Sequence, residues 1–205
     1  ERVGLTAGHV YFSDQSVNRE QSRLGSLDGK TATLDLSDAS DRVSCEAVSA
    51  MLQDFPDFLE VLMTLRSQSA MLPDGKLIRL GKYASMGSAL CFPVESMLFF
   101  TLSVLSVIGE HTTPTRKAVK RAASRVFVYG DDLIIPTYAV PRLASLLSLA
   151  GLKLNDRKSF WTGKFRESCG ADWFDGQNVK PTYVRRDLPT SRRDSSGVIS
   201  AISLA

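Results

Sequence analysis

The sequence has few of the residues that bind zinc or build disulfide frameworks. Its 205 residues include only three cysteines (Cys45, Cys91 and Cys169) and two histidines (His9 and His111). The number of cysteines is odd, no CxxC pair occurs, and neither histidine has a second ligand at metal-binding spacing. A zinc site and a disulfide scaffold are therefore disfavoured, and a reducing compartment is expected. Internal repeats and low-complexity segments are also lacking.

A strong net charge is absent as well. The formal net charge is +3, which permits an anionic partner without requiring one. Basic residues nevertheless cluster in two places. The first cluster contains Arg116, Lys117, Lys120, Arg121 and Arg125, and the second contains Arg185, Arg186, Arg192 and Arg193. Each cluster is either a solvated face or a patch that contacts phosphates, and composition leaves both interpretations open.

No uninterrupted hydrophobic run reaches the length of a membrane span. Residues 90–109 come closest, but Pro93, Glu95 and several serines interrupt them. This pattern favours a helix that is buried on most sides of the protein. No association with a membrane is expected. The first residues do not have the pattern of a signal peptide, and none is expected. The chain begins at Glu1 rather than at a methionine, so we expect a piece of a longer protein.

Apolar periodicity and turn residues predict an α+β fold. The elements expected are a strand at 31–37, a helix after Asp38 or Ser40, a helix from Pro56, a hairpin at 71–80, a helix at 90–108, strands at 126–129 and 133–135, and a helix between Pro141 and Gly151. This order is compatible with an antiparallel sheet with helices packed on one face, as in a split βαβ or ferredoxin-like core.

Two adjacent carboxylates, Asp131 and Asp132, lie between two apolar strands. Gly130 and Asp131 form a two-residue connection of the type that starts with glycine, which predicts a II′ hairpin. Carboxylates repel each other beside a core, so a cation is expected there. Asp35 ends an earlier strand and could converge on the pair. Three such carboxylates suit Mg²⁺ and a two-metal phosphoryl transfer, whereas Asp35 alone could be an ordinary helix N-terminal acid.

Five segments in order carry a resemblance to RNA-dependent RNA polymerases. "TLDLSDASD" resembles motif A, "ASMGSALCFPVES" motif B, "VYGDD" motif C and "GLKLNDRKSF" motif D, while "FRESCGADWF" is similar to the segment that follows in replicases of single-stranded RNA bacteriophages. The resemblance implies a polymerase palm with motifs A to E over residues 1–190, including an inserted hairpin at 66–82. It implies the start of a thumb at 191–205, with the fingers and most of the thumb outside the chain.

The resemblance also implies roles for individual residues. Asp35, Asp131 and Asp132 would bind two Mg²⁺ ions, for which Mn²⁺ could substitute. Lys158 matches the motif D lysine, a candidate proton donor to pyrophosphate, although a surface lysine is an equal alternative. The residues expected near nucleotide or template are Asp41, Ser85, Gly87 and Gly130.

Two positions depart from the wider polymerase pattern. Cys91 and Glu95 stand where many polymerases have threonine and asparagine, so the usual ribose contacts are not transferred to them. The phage group resembles this sequence in having glutamate there.

The resemblance implies an RNA-directed RNA polymerase in the cytoplasm of a bacterial host. Its partners would be template and product RNA, nucleoside triphosphates, host elongation factors Tu and Ts, and a ribosomal protein. A reverse transcriptase and a non-catalytic RNA-binding module are the alternatives. Gly130 before the aspartate pair favours the RNA polymerase, because reverse transcriptases usually have a bulkier residue there.

Overall fold

The computed structural model describes residues 10–84, 86–109, 113–181 and the single positions 196 and 199. Ser85, both histidines, the second basic cluster and nearly all of the predicted thumb segment lie outside the described residues. The helices are α1 (Ser16–Asp28), α2 (Ala39–Arg42), α3 (Cys45–Met51), α4 (Pro56–Leu65), α5 (Cys91–Ile108), α6 (Arg116–Ala123) and α7 (Val140–Leu149). The strands are β1 (Thr31–Leu34), β2 (Ser69–Met71), β3 (Leu77–Arg79), β4 (Phe127–Tyr129), β5 (Asp132–Pro136), β6 (Phe165–Ser168), β7 (Ala171–Phe174) and β8 (Gln177–Asn178).

The central sheet has the strand order β1-β5-β4, and both pairings are antiparallel. Strands β2 and β3 form the predicted hairpin, and strands β6, β7 and β8 form a third antiparallel sheet. This third sheet is tied to the central one by Arg166, whose buried guanidinium donates a hydrogen bond to the carbonyl of Thr31. The prediction of an α+β protein with antiparallel sheets is therefore confirmed.

The central sheet is covered on both faces. Leu133, Ile134 and Ile135 are consecutive on β5 and all are 0% exposed, although alternate side chains of a strand point to opposite faces. Leu133 and Ile135 belong to the main core, which includes α5 and α7. On the other face, Gly25 of α1 lies directly against Thr31. The prediction of helices on one face was thus wrong, because helix α1 was not anticipated.

Helix α5 is the apolar helix that the sequence predicted, and Gly109 follows its last residue. Among the described residues it is the one helix long and apolar enough to cross a membrane by length and composition. It packs against β4, β5, α3, α6 and α7. Phe99 is 0% exposed and Val94 is 2% exposed. The composition of this helix is therefore accounted for by its place in the core.

The segment after β1 differs from the expected single helix. Helix α2 ends at Arg42, Val43 is extended, and α3 begins at Cys45. The N-cap of α3 is Ser44, whose hydroxyl accepts a hydrogen bond from the amide of Ala47 at 3.0 Å. Apolar periodicity continues through both helices, which is why it does not reveal the break.

Candidate active site

Strand register brings the first acid to the aspartate pair. Leu34 pairs with Leu133 on neighbouring antiparallel strands, so the next residues, Asp35 and Asp132, lie side by side at the same sheet edge. Asp131 is in the turn immediately before Asp132. The backbone positions of Asp35, Asp131 and Asp132 are therefore adjacent, and their joint role as metal ligands stays a prediction.

The hairpin turn that carries Asp131 depends on Gly130. Tyr129 pairs with Asp132, which leaves Gly130 and Asp131 as a two-residue loop. Gly130 has φ +59°, and Asp131 is not among the residues with positive φ, as in the predicted Gly-first turn. A Cβ at Gly130 would lie 2.6 Å from a ring carbon of Phe92. Close packing on α5 and the positive φ both require glycine here.

Asp132 is oriented by the tight turn between β6 and β7. Its Oδ1 accepts hydrogen bonds from the Ser168 hydroxyl at 3.0 Å and the Cys169 amide at 3.2 Å. Cys169 has φ +50° and Gly170 φ +70°, the two left-handed residues of a I′ turn. From α1, the buried Asn18 donates its side-chain amide to the Asp132 carbonyl at 3.2 Å.

Asp35 is oriented by the segment that follows α7. The Asn155 side chain donates to Oδ2 of Asp35 at 2.8 Å, and the Asn155 amide donates to its carbonyl at 2.9 Å. The amide of Asp35 donates to the Ser159 hydroxyl at 3.2 Å. Both acids are thus held by residues distant in sequence.

The sheet edge that carries Asp35, Asp131 and Asp132, called the acidic edge below, brings like charges together in a partly buried place. Burial raises the pKa of Asp132, and the charge of Asp35 adds to that rise. Burial also raises the pKa of Asp131, with further contributions from Asp132 and Asp35. A fourth carboxyl, Glu167 on β6, has a pKa raised by burial and then by Asp132. Mutual repulsion of this kind is relieved by a cation.

Lys158 lies near this edge but remains exposed. Its positive charge lowers the pKa of Asp131, an effect smaller than the rise caused by burial. Its amide donates to the carbonyl of Asn155 at 3.1 Å, so the residue that orients Asp35 also anchors the backbone of Lys158.

A pocket of about 460 Å³ opens beside the acidic edge. Asp131 is one of the acids of that edge and also lines the pocket. Asp41 and Gly87, two residues predicted to approach the nucleotide, line this pocket. Gly87 has φ +94°, and a Cβ there would meet no atom within 4 Å. Gly130 instead packs against Phe92, so its predicted nucleotide contact stays a prediction.

Glu95 and Cys91 form the buried wall of the pocket. Glu95 is 7% exposed, and burial, followed by repulsion from Asp131, raises its pKa to about 7. The thiol of Cys91 lies 3.8 Å from Oε2 of Glu95. Burial, followed by the charge of Glu95, raises the pKa of this thiol to about 11. The carboxyl group of Glu95 is therefore mostly protonated at pH values well below 7.

The donor set at the edge fits a hard divalent cation. Carboxylate oxygens are the ligands that Mg²⁺ prefers, and it retains water and substrate phosphates in its shell. Within the ranges that the structure describes, no group of three or more His, Cys, Asp or Glu side chains is placed so that it could hold a metal ion. The three aspartates therefore do not form a ready-made metal site in the described part of the chain.

Comparison with known proteins places the chain in a family. The family model described as RNA replicase, beta-chain, matches residues 2–193. The chain belongs to the RNA replicase beta-chain family. It is 37% identical over 187 residues to the RNA-directed RNA polymerase subunit beta of Qbeta virus strain MX1. It is 38% identical over 187 residues to the subunit of that name in Enterobacteria phage SP, and 37% identical over 187 residues to the RNA-directed RNA polymerase beta chain of Escherichia phage MS2.

Each of these three alignments covers 91% of this replicase-family chain but only 30%, 31% and 32% of the relative. The chain thus spans about a third of the length of the curated relatives it matches. The resemblance to phage replicases, drawn from five short motifs, is confirmed at the level of the family.

Sequence reasoning missed the residues that orient the acids in this replicase-family chain. Asn155, Ser168 and Asn18 contact Asp35 or Asp132 but were not predicted as site residues. Glu167 was also missed. Asn155, Ser168 and Glu167 lie inside the quoted motifs "GLKLNDRKSF" and "FRESCGADWF", so their position was marked although their partners were not.

Proposed function

We propose that this chain carries the palm of an RNA-directed RNA polymerase, which transfers nucleotides from nucleoside triphosphates to an RNA 3′ end. The single observation that carries the proposal is the side-by-side position of Asp35 and Asp132, with Asp131 in the adjacent turn. Family membership and the neighbouring pocket support it. The antiparallel β1-β5-β4 sheet between helices is compatible with a polymerase palm of the split βαβ type.

Asp35, Asp131 and Asp132 are the residues that would hold two Mg²⁺ ions, with Mn²⁺ as a substitute. When bound, such ions neutralise phosphate charge and lower the pKa of a coordinated hydroxyl. The chain's own contribution is positioning. Asn155 and Ser168 each engage one oxygen of a carboxylate, which fixes the direction of the other oxygen.

The pocket beside Asp131 is the proposed nucleotide site. Asp41 on α2 faces it and is assigned to the incoming ribose, while Gly87 permits the backbone to approach closely. Ser85 is assigned the same loop role, although it lies outside the described residues. Lys158, whose charge already acts on Asp131, is assigned to donate a proton to the departing pyrophosphate.

The proposed partners follow from the same assignment. They are template and product RNA, nucleoside triphosphates and, by resemblance to phage replicases, host elongation factors Tu and Ts and a ribosomal protein in the bacterial cytoplasm. The names of the relatives support RNA polymerisation by a subunit of a larger assembly.

The test is Asp131→Asn in the full-length polymerase chain. We expect nucleotide incorporation to fall by at least about a thousandfold, because a neutral amide is a far weaker ligand for a hard cation. RNA binding should persist or improve as negative charge is removed. Incorporation is measured on a primed RNA template, with Asp57→Asn at an exposed position of α4 as the matched control.

Two outcomes would contradict the proposal. Unchanged incorporation by the Asp131→Asn variant would support a non-catalytic RNA-binding module. Preferential use of deoxynucleotides by the wild-type chain on the same template would support a reverse transcriptase.

A further inference from the structure

The exposed face of α6 concentrates positive charge. Residues 113–130 contain five basic residues and no acidic one, so this stretch contributes +5 to a chain whose total is +3, and the remainder is net negative. All five basic side chains are exposed. Their positions are Arg116, Lys117, Lys120, Arg121 and Arg125. None of them forms an ion pair with an acid in the described part of the chain.

An exposed aromatic ring lies beside this charge. Tyr138 is 60% exposed and follows β5, while Arg125 precedes β4. The Arg125 guanidinium lies 5.3 Å from the centre of the Tyr138 ring, and its Nη1 donates to the Tyr138 hydroxyl at 3.0 Å. The ring and the guanidinium therefore orient each other and do not depend on a ligand to be ordered.

A small pocket of about 250 Å³ opens between these groups. Arg121, Arg125 and Tyr138 contribute its polar wall, and Ile108 of α5 and Ala118 of α6 contribute its apolar wall. Cations, an exposed ring and an adjoining apolar wall combine the contacts that a phosphate and an unpaired base require. An acidic protein would bind through the cations alone and would leave the exposed ring without a function.

This surface is separate from the acidic edge. Arg125 and Tyr138 lie at one end of the β4–β5 hairpin, and Asp131 and Asp132 lie at the other. The length of β5 alone separates them by about 13 Å at about 3.3 Å per residue. The pocket lined by Asp131 and the pocket lined by Arg125 and Tyr138 share no lining residue.

We infer that α6, Arg125 and Tyr138 form a second binding surface for single-stranded RNA, outside the proposed catalytic centre. The cations on the helix bind successive phosphates, and one unpaired base stacks at Tyr138. Double-stranded RNA binds this surface more weakly than single-stranded RNA, because the bases of a duplex are already stacked on one another. The inference goes beyond nucleotide transfer, and binding measured without nucleotides tests it independently of the catalytic proposal.

The experiment measures binding of a fluorescently labelled, unstructured RNA to the full-length chain between about 50 and about 200 mM salt. The variant Arg121→Gln/Arg125→Gln is expected to weaken binding at least about tenfold and to reduce the slope of log affinity against log salt by about 1. The control is Arg23→Gln/Lys164→Gln, which removes the same charge from side chains that already pair with Glu20 and Asp175. The control slope should match that of the wild type.

A second pair of variants tests the base contact. Tyr138→Leu should weaken RNA binding about tenfold through loss of stacking, while Tyr138→Phe, which keeps the ring, should bind within about twofold of the wild type. In nucleotide incorporation, Arg121→Gln/Arg125→Gln should raise KM for RNA and leave kcat unchanged. Equal salt slopes for the two double variants, or wild-type RNA affinity of Tyr138→Leu, would overturn the inference, even if Asp131→Asn abolishes incorporation.

Discussion

Glu95 shows what burial does to a single carboxyl group. Its folded pKa is raised from 4.5 to about 7, first by burial and then by Asp131. Below pH 4.5 the group is protonated in both folded and unfolded chains, so it contributes no pH dependence. Between pH 4.5 and about 7 the unfolded chain loses this proton first, and the free energy of unfolding falls by up to about 3 kcal/mol.

The variant Glu95→Gln is therefore expected to be more stable than the wild type at pH 8 and equally stable at pH 4. The amide is neutral at both pH values and has nearly the same shape. Urea unfolding at the two pH values provides the measurement, with Glu60→Gln at an exposed position of α4 as the control. A stability difference that is the same at both pH values would show that Glu95 is not held protonated.

Asn155 orients Asp35 through a 2.8 Å hydrogen bond. We expect Asn155→Ala to lower nucleotide incorporation about tenfold to a hundredfold and to raise the Mg²⁺ concentration needed for half-maximal rate, because outer partners fix the direction of ligand carboxylates. Metal titration of the full-length enzyme is the measurement, with Asn178→Ala at an exposed position of β8 as the control. An unchanged Mg²⁺ requirement would contradict the positioning role.

The acids themselves could be predicted from the sequence, but their partners could not. Asp131 and Asp132 stood out because adjacent carboxylates between apolar strands are electrostatically unfavourable. Asn155 and Ser168 are ordinary polar residues in turns, and their contacts join positions 120 and 36 residues apart. No local pattern encodes contacts of that range, since they arise only when the segment after α7 and the third sheet pack beside the central sheet.

At the scale of elements, the β4–β5 hairpin depends on its close contact with α5. Gly130→Ala is expected to destabilise the chain by roughly 2 to 4 kcal/mol and to abolish incorporation, because a methyl group would collide with Phe92 at a positive φ. Gly163→Ala is the matched control, since Gly163 also has a positive φ but open space around it. Thermal unfolding should show a clearly larger loss for Gly130→Ala than for the control.

If the two alanine variants were equally destabilised, backbone strain alone would account for the effect. The contact between the hairpin and Phe92 would then make no additional contribution to stability.

Elements with long runs of large apolar residues were predicted, and two helices whose buried faces consist of small or polar residues were missed. Runs of consecutive apolar residues predicted helix α5 and the β4–β5 hairpin. Helix α1 buries Asn18, Ser22, Gly25 and Ser26 instead, so its inward face is polar and small. Helix α6 presents cations to solvent, and its basic cluster was noted without being recognised as a helix. Hydrophobic periodicity does not mark the inward face of α1, whereas α6 buries Ala122 and Ala123 on an amphipathic face that was overlooked.

At the scale of the whole molecule, α5 connects the central sheet to most of the surrounding helices. Phe99 on α5 is 0% exposed, so Phe99→Ala is expected to lower the free energy of unfolding by about 3 to 5 kcal/mol. Leu105→Ala on the same helix, where the side chain is 39% exposed, should cost about 1 kcal/mol or less. Urea unfolding followed by circular dichroism measures both, and similar losses would argue against α5 as the centre of the core.

The fold class could be predicted from the sequence, whereas the packing of the helices on the central sheet could not. The order of strands and helices predicted an α+β protein, and ordered motifs predicted the family. The second covered face of the central sheet depends on how α1 packs, a tertiary arrangement that no segment specifies alone.

The positions of the residues that orient the acids have a consequence for synthesis. Asp35 and Asp132 leave the ribosome before Asn155, Ser168 and Cys169, which hold them. A nascent chain that has emerged only as far as the β4–β5 hairpin still lacks the three residues that hydrogen-bond to the carboxylates of Asp35 and Asp132. We therefore expect the two carboxylates to be ordered late in translation, after the turn between β6 and β7 has formed.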